Sequence, residues 1–385
     1  MKNWQKLFGG LIGDADHQLE RLVDRLQKSF AAEPIYIQPY LGYGTPETLY
    51  VRGRVLAGEQ LEPASEDDTL WENLVATYRR FETDEVAHAR VQAQFGTIVT
   101  EVVADKEGYF VATVRPPIPL NEVAQAAGSR WVDVTVSILP PIATTDAEVE
   151  PPVYETNTQV MVPPDHSNFG VISDLDDTVL QTNAASLLQA ARITFLQNAR
   201  TRMPFAGVAQ FYQALQHGPL GTAQNPIFYV SSSPWNLYDL LMDFLQFHEI
   251  PHGPLFLRDI GFRRDLLSAS SHHGHKLAQV EHLLAVYPDL PFILIGDSGQ
   301  EDPEIYREAV RRFPNRIAAI YIRDVSLDQR DVEIDALIQE VGTENVPMLR
   351  AADTVAAAEH AAATGFISET ALPTIRNGNA VDKSL

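Results

Sequence analysis

An apolar run, Phe169-Gly170-Val171-Ile172-Ser173, ends abruptly in Asp174-Leu175-Asp176-Asp177-Thr178. In a strand, residues two apart lie on one side, so the carboxylates of Asp174 and Asp176 face together and Asp177 points away. Crowded carboxylates repel one another and call for a compensating cation, typically an oxygen-seeking one such as Mg²⁺. A solvated turn would explain this acid pair taken alone, but not what recurs downstream. Ile227-Phe228-Tyr229-Val230 leads into Ser231-Ser232-Ser233-Pro234-Trp235, and Pro291-Phe292-Ile293-Leu294-Ile295 leads into Gly296-Asp297-Ser298-Gly299-Gln300-Glu301-Asp302. Between them, His275-Lys276 opens a helical pattern from Leu277 to Val286. In an open parallel α/β sheet, functional groups gather beyond the carboxyl ends of the strands, so four points distant in sequence can converge in space.

Acid pair, hydroxyl, lysine and second acid pair, in that order, resemble the four motifs of the haloacid-dehalogenase-like superfamily over about residues 169–325. More closely, Ser173-Asp174-Leu175-Asp176-Asp177-Thr178, Tyr229 to Tyr238, His275-Lys276-Leu277 and Gly296 to Tyr306 look like the catalytic domain of the actin-patch-associated phosphatidate phosphatase family. The resemblance implies an α/β fold, a haloacid-dehalogenase-like Rossmannoid parallel sheet with helices on both faces. It also implies Mg²⁺-dependent phosphomonoester hydrolysis, with phosphatidate the substrate of some members. The motifs describe a phosphate and a metal, not the rest of the substrate.

Carried onto these positions, the resemblance makes Asp174 the nucleophile that forms an aspartyl-phosphate and Asp176 the general acid and base. Metal ligands would be Asp174, Asp176 through its backbone carbonyl, and Asp297, with Asp302 in support or ligating directly. Ser231, helped by backbone N–H groups around Ser232 and Ser233, would hold a phosphoryl oxygen, and Lys276 would neutralise charge on the phosphate and on Asp174. Plain helix capping is the competing account of Ser231 to Pro234, and the two roles are compatible. Thr178 is expected to orient the turn. The group His272, His273 and His275 is expected in a loop flanking the site rather than in a zinc centre, because tetrahedral zinc prefers spaced ligands, often cysteines.

Composition narrows the setting. The chain has 385 residues, no cysteine and a net charge of −22. Without cysteine there is no disulfide, thiolate metal ligand or cysteine nucleophile. The acidity disfavours nucleic acid and simple adhesion to anionic membranes. The N-terminus lacks the continuous apolar core of a secretory signal, and no run approaches the ~18–20 apolar residues of a membrane span. A cytoplasmic protein is expected. Arg258, Arg263, Arg264 and Lys276 offer a locally basic rim for an anionic ester.

Five segments are expected. Residues 1–32 carry Leu19, Leu22, Val23, Leu26 and Phe30 at helical spacing, an amphipathic helix that either packs on the protein or makes peripheral membrane contact. Residues 33–165 switch to a period of two in strand-like runs from Ile35, Leu49, Val91, Ile98, Tyr109 and Trp131, with a hairpin turn at Asp105-Lys106-Glu107-Gly108. They predict an all-β, sandwich-like domain ending in proline-rich linkers. Residues 166–325 form the α/β domain. Its intervals are too short for a full cap, leaving a site open to bulky or membrane-presented phosphoesters such as a lipid phosphate. Residues 326–369 are expected as a helical extension and 370–385 as a disordered tail. Phosphoprotein, sugar phosphate and nucleotide stay open as substrates, and a catalytically silent binding or scaffold protein is the rival of another class. A mutase is disfavoured by the missing cap.

Overall fold

A computed structural model describes residues 34–58, 84–139, 154–176, 178–179, 205–258, 270–325 and 330–382. The helix expected in 1–32 lies outside the described residues, as do Asp177, Arg263 and Arg264.

Alternating apolar residues build the first unit from eight strands, β1 (Ile35–Thr45), β2 (Thr48–Ala57), β3 (Asp84–Glu85), β4 (Arg90–Phe95), β5 (Ile98–Val103), β6 (Tyr109–Val114), β7 (Trp131–Ile138) and β8 (Tyr154–Met161). The unit is all-β as expected, but its strands form one hydrogen-bonded sheet rather than the two of a sandwich. The order is β3-β2-β1-β8-β7-β4-β5, with β6 added to β2. The long strand β2 makes this geometry, because one edge pairs with β6 over Leu49–Arg54 and then with β3 at Leu56–Ala57. The sheet curls until β5 lies beside β6, enclosing a core that includes Val51, Val91, Phe110, Val134 and Val160. At the expected hairpin, Asp105 Oδ1 accepts from the amides of Glu107 and Tyr109 at 2.8 and 2.9 Å, and Gly108 takes the positive φ of 79° that glycine tolerates without strain. A short helix, α1 (Leu120–Ala126), was not expected. Nor was β8, whose flanking proline pairs read as linker. In fact it pairs antiparallel with β7 along its whole length and parallel with β1.

The second unit is a parallel sheet of order β11-β10-β9-β12-β13-β14. Its strands are β9 (Gly170–Asp174), β10 (Ile227–Pro234), β11 (Leu255–Arg258), β12 (Phe292–Asp297), β13 (Ile317–Arg323) and β14 (Met348–Ala351). Each strand is buried on both faces. Val171, Tyr229, Ile293 and Tyr321 pack into one core with α2 (Val208–His217) and α3 (Tyr238–Phe247). Ile172, Phe228, Leu294 and Ile320 pack into another with α4 (Ser270–Val286), α5 (Asp302–Arg312) and α6 (Asp331–Gly342). The strand order reverses at β9, and the crevice beyond the carboxyl end of such a strand is where open α/β sheets place their sites. Asp174 ends that strand.

Two expectations for the C-terminal part are corrected. Residues 326–369 are not helical alone, because β14 pairs with β13 as the sixth strand and precedes α7 (Thr354–Ala363). Nor is the segment from 370 a disordered tail, since Leu372–Asp382 forms helix α8 against α2 and α7. Its glycine and asparagines are weak helix formers, so sequence propensity misses it, and burial of Ile375, fully inaccessible, supplies what propensity lacks. Ile375→Ala is therefore expected to lower unfolding free energy by about 2–5 kcal/mol in a urea titration; a detached tail would give no change.

Candidate active site

Asp174 is 1% exposed, pairs with Val230 of β10 and follows directly on the last pair of the β12 ladder at Ser173. Ser173, on the opposite side of the strand, meets Tyr212 at 2.7 Å and leaves Asp174 alone to face the crevice. Thr178 turns back so that its hydroxyl lies 3.4 Å from Asp174 Oδ2. From α4, the buried Lys276 Nζ sits 2.7 Å from Asp174 Oδ1 and 2.7 Å from Asp302 Oδ1. Asp302 Oδ2 in turn accepts from the Asp297 amide at 3.1 Å. Gly296 permits this, because a β-carbon there would lie 2.5 Å from that carboxylate oxygen. Asp297 Oδ1 accepts from the amides of Gly299 and Gln300 at 2.7 and 2.9 Å, closing the turn after β12.

Across the crevice, the hydroxyl of Ser231 donates to Asp176 Oδ2 at 2.7 Å, and that of Ser233 reaches the same oxygen at 3.3 Å. Among the described residues, the Ser232 hydroxyl is buried without a hydrogen-bond partner. The structure thus brings together Asp174, Asp176, Ser231, Lys276, Asp297 and Asp302. Ser233, expected for its backbone N–H, also supplies a second hydroxyl to Asp176. Two further contributors were not singled out in the sequence. Gln300 donates to the Asp176 carbonyl and accepts from Lys276, both at 3.3 Å. Arg323, beside Asp297 in the β12–β13 register, donates to the Thr178 carbonyl at 3.2 Å and to Thr354 Oγ1 at 2.8 Å. Gln300 stands within the second acid motif and was legible there; Arg323 carried no signal beyond ending a strand.

The histidine group is not in a loop. Helix α4 begins at Ser270, so His272, His273 and His275 lie in its first turns. Gly274 costs about 1 kcal/mol within a helix, so local propensity alone does not favour that extension. Arg258 is buried rather than on an exposed rim.

The electrostatics are lopsided. Asp174, Asp297 and Asp302 can bring one oxygen each within 4.8 Å of one another, all three buried. Lys276 supplies one positive charge against them. Burial, and then the neighbouring Asp302, Asp176 and Asp297, push the Asp174 carboxyl well above its ordinary range, with Lys276 pulling the other way. Burial acts to lower the Lys276 ammonium, but Asp174, Asp302 and Asp297 together hold it above its ordinary value. Uncompensated buried charge is expensive. An all-oxygen donor set with excess negative charge fits a hard divalent cation.

Residues 169–324 match the family described as Phosphatidate phosphatase APP1, catalytic domain. The phosphatidate phosphatase APP1 of Saccharomyces cerevisiae is 33% identical over 184 residues, covering 47% of this chain and 30% of the yeast protein. An uncharacterised protein of Schizosaccharomyces pombe is 25% identical over 281 residues, covering 72% of this chain and 41% of its own length. The chain thus spans well under half of either relative. Among solved structures, a carbohydrate acetylesterase from Xanthomonas citri aligns over 76% of this chain and 68% of its own at a TM-score of 0.24 and 12% identity, a likeness too remote to bear on fold or function. No helix among the described residues is long and apolar enough to cross a membrane.

Proposed function

We propose that this chain is a Mg²⁺-dependent phosphomonoester hydrolase that works through an aspartyl-phosphate and acts on a lipid phosphate of the phosphatidate class. The observation that carries the reading is the buried ion-pair network of Asp174, Lys276 and Asp302 beside Asp297, facing an Asp176 capped by Ser231. The substrate class rests on the name of the yeast relative.

Asp174, fixed by the central strand, is placed to attack phosphorus. Its elevated pKa would disarm it; Asp174, Asp297 and the Asp176 carbonyl, supported by Asp302, would hold a divalent cation, which would supply the positive charge that keeps the carboxylate ionised and offsets charge on the phosphate. Lys276 adds a fixed positive charge on the other side of Asp174. The Ser231 hydroxyl, which here caps Asp176, would turn to a phosphoryl oxygen of bound substrate. Its transfer to that oxygen would release Asp176 to protonate the leaving alcohol and then to deprotonate the water that hydrolyses the aspartyl-phosphate.

Phosphate release from dispersed phosphatidate, a phosphopeptide, a sugar phosphate and a nucleotide, each with Mg²⁺ and with chelator, tests the proposal. Metal-dependent release with phosphatidate preferred is expected, together with a melting temperature raised several degrees by saturating Mg²⁺, since ligand at 100 times its Kd stabilises by about 2.7 kcal/mol. A thermal response to Mg²⁺ without release from any substrate would favour a catalytically silent binding protein.

A further inference from the structure

Resting on that reading of Ser231, we infer that the all-β domain is a positioning element of the phosphate-binding turn, acting through a stack of Tyr40 and Arg52 on Trp235.

The turn needs an anchor. Strand β10 is paired with β9 only as far as Val230, opposite Asp174. Its register with β11 breaks between Val230 and Pro234, which lies opposite Arg258. Ser231, Ser232 and Ser233 therefore have no partner residue in either neighbouring strand. Apart from the hydroxyl contacts of Ser231 and Ser233 with Asp176, their placement depends on what fixes the two ends. The first end is locked by the ladder at Val230. The second passes at once into Trp235, and Trp235 is gripped from the other domain.

That grip is specific. The ring of Tyr40, in β1, stacks on Trp235 with centroids 4.4 Å apart and 22° between planes. Tyr40 also packs on Tyr238, whose hydroxyl accepts from the Leu41 amide at 2.8 Å. Gln38 donates to Asp239 at 2.7 Å. Arg52, from β2, is 7% exposed and has no carboxylate ion pair among the described residues. Its guanidinium lies 5.5 Å from the Trp235 ring centre, 5.1 Å from Tyr43 and 4.5 Å from Phe256. One of its nitrogens donates to two carbonyls, Leu41 of its own domain at 2.9 Å and Leu255 of β11 at 3.1 Å.

A buried cation without a carboxylate is a costly way to join two domains, and among the described residues its Nε has no hydrogen-bond partner. An apolar side chain would give cheaper cohesion. What the guanidinium adds is orientation: a planar group stacked among rings and forked onto carbonyls fixes relative position. The Tyr40 hydroxyl is likewise buried without a partner, so at that position the ring is the working part.

The test is the affinity of the full chain for inorganic phosphate in saturating Mg²⁺, by calorimetry, set beside the Mg²⁺-induced shift in melting temperature. Trp235→Leu and Tyr40→Leu are expected to weaken phosphate binding up to about tenfold, the scale of one lost aromatic stack, with the Mg²⁺ shift kept. Tyr40→Phe and Trp235→Phe should bind as the parent does. Arg52→Met, which removes the buried charge, should keep or raise the melting temperature while phosphate affinity falls, a combination a merely structural contact would not give. Unchanged phosphate affinity in folded Trp235→Leu and Arg52→Met, or a loss of the Mg²⁺ response in step with phosphate, would overturn the inference. Failure of the parent chain to bind phosphate would instead remove the reading of Ser231 on which it rests.

Discussion

Asp174→Asn is expected to abolish Mg²⁺-dependent phosphate release, with a loss above about 10⁴-fold, the scale seen when a covalent nucleophile is removed. The asparagine is nearly isosteric and keeps an oxygen within reach of Lys276, so the fold should survive. Asp176→Asn removes proton transfer instead, a loss of about 10²–10⁴-fold, and should fall most heavily on poor leaving groups. An activated aryl phosphate needs little protonation to depart, so Asp176→Asn should retain more of its activity on that ester than on phosphatidate, whereas Asp174→Asn should lose both alike. The two variants thus separate nucleophile from general acid in one assay. Equal losses on both esters would contradict the division of labour between the two carboxylates, and activity surviving in Asp174→Asn would remove the aspartyl-phosphate altogether.

The convergence of Asp174, Ser231, Asp297 and Asp302 was legible in the sequence because each stands near a strand end or a helix start. Once Val171, Ile172, Tyr229, Ile293 and Leu294 are read as doubly buried parallel strands, Asp174, Ser231 and Asp297 must emerge on one edge of the sheet. Lys276 was legible from its order among the motifs. What stayed hidden depends on packing between elements far apart in sequence. Arg323 reaches the Asp174 loop at the Thr178 carbonyl and is held from the other side by Thr354. Helix α8 forms against α2 in spite of its own propensity. Strand β8 alternates tyrosine, threonine and asparagine between proline pairs, a pattern equally fit for a linker, and becomes a strand because β7 and β1 both offer it an edge. The side-by-side use of β2 by β3 and β6, which turns an expected sandwich into one curled sheet, has no local signature either.

Lys276 is where stability and chemistry meet, and its removal should be felt in both. Its ammonium makes two 2.7 Å ion pairs with carboxylates that are themselves 1% and 0% exposed. Breaking a buried pair from one side leaves uncompensated charge and costs about 3–5 kcal/mol. In metal-free protein, Lys276→Met should therefore lower the melting temperature by about 6–20 °C, taking about 2–4 °C per kcal/mol for a domain of this size. The deficit should depend on pH in a definite direction. Burial and the neighbouring Asp302, Asp176 and Asp297 raise the Asp174 carboxyl, and Lys276 opposes them; without the lysine it rises further. A carboxyl whose pKa is raised on folding favours the native state while protonated, and that contribution is lost as pH rises through the native value. Lowering the pH from 8 to 5 in chelator should accordingly narrow the gap between Lys276→Met and its parent, because protonating Asp174 removes the charge the lysine had balanced. The lysine itself contributes no slope in this range, since its ammonium is held above its ordinary value and stays charged in the parent. A gap that is constant or widens on acidification would show that Lys276 supports the fold through packing of its stem rather than through its charge, and would weaken its assignment as the fixed cation beside the nucleophile.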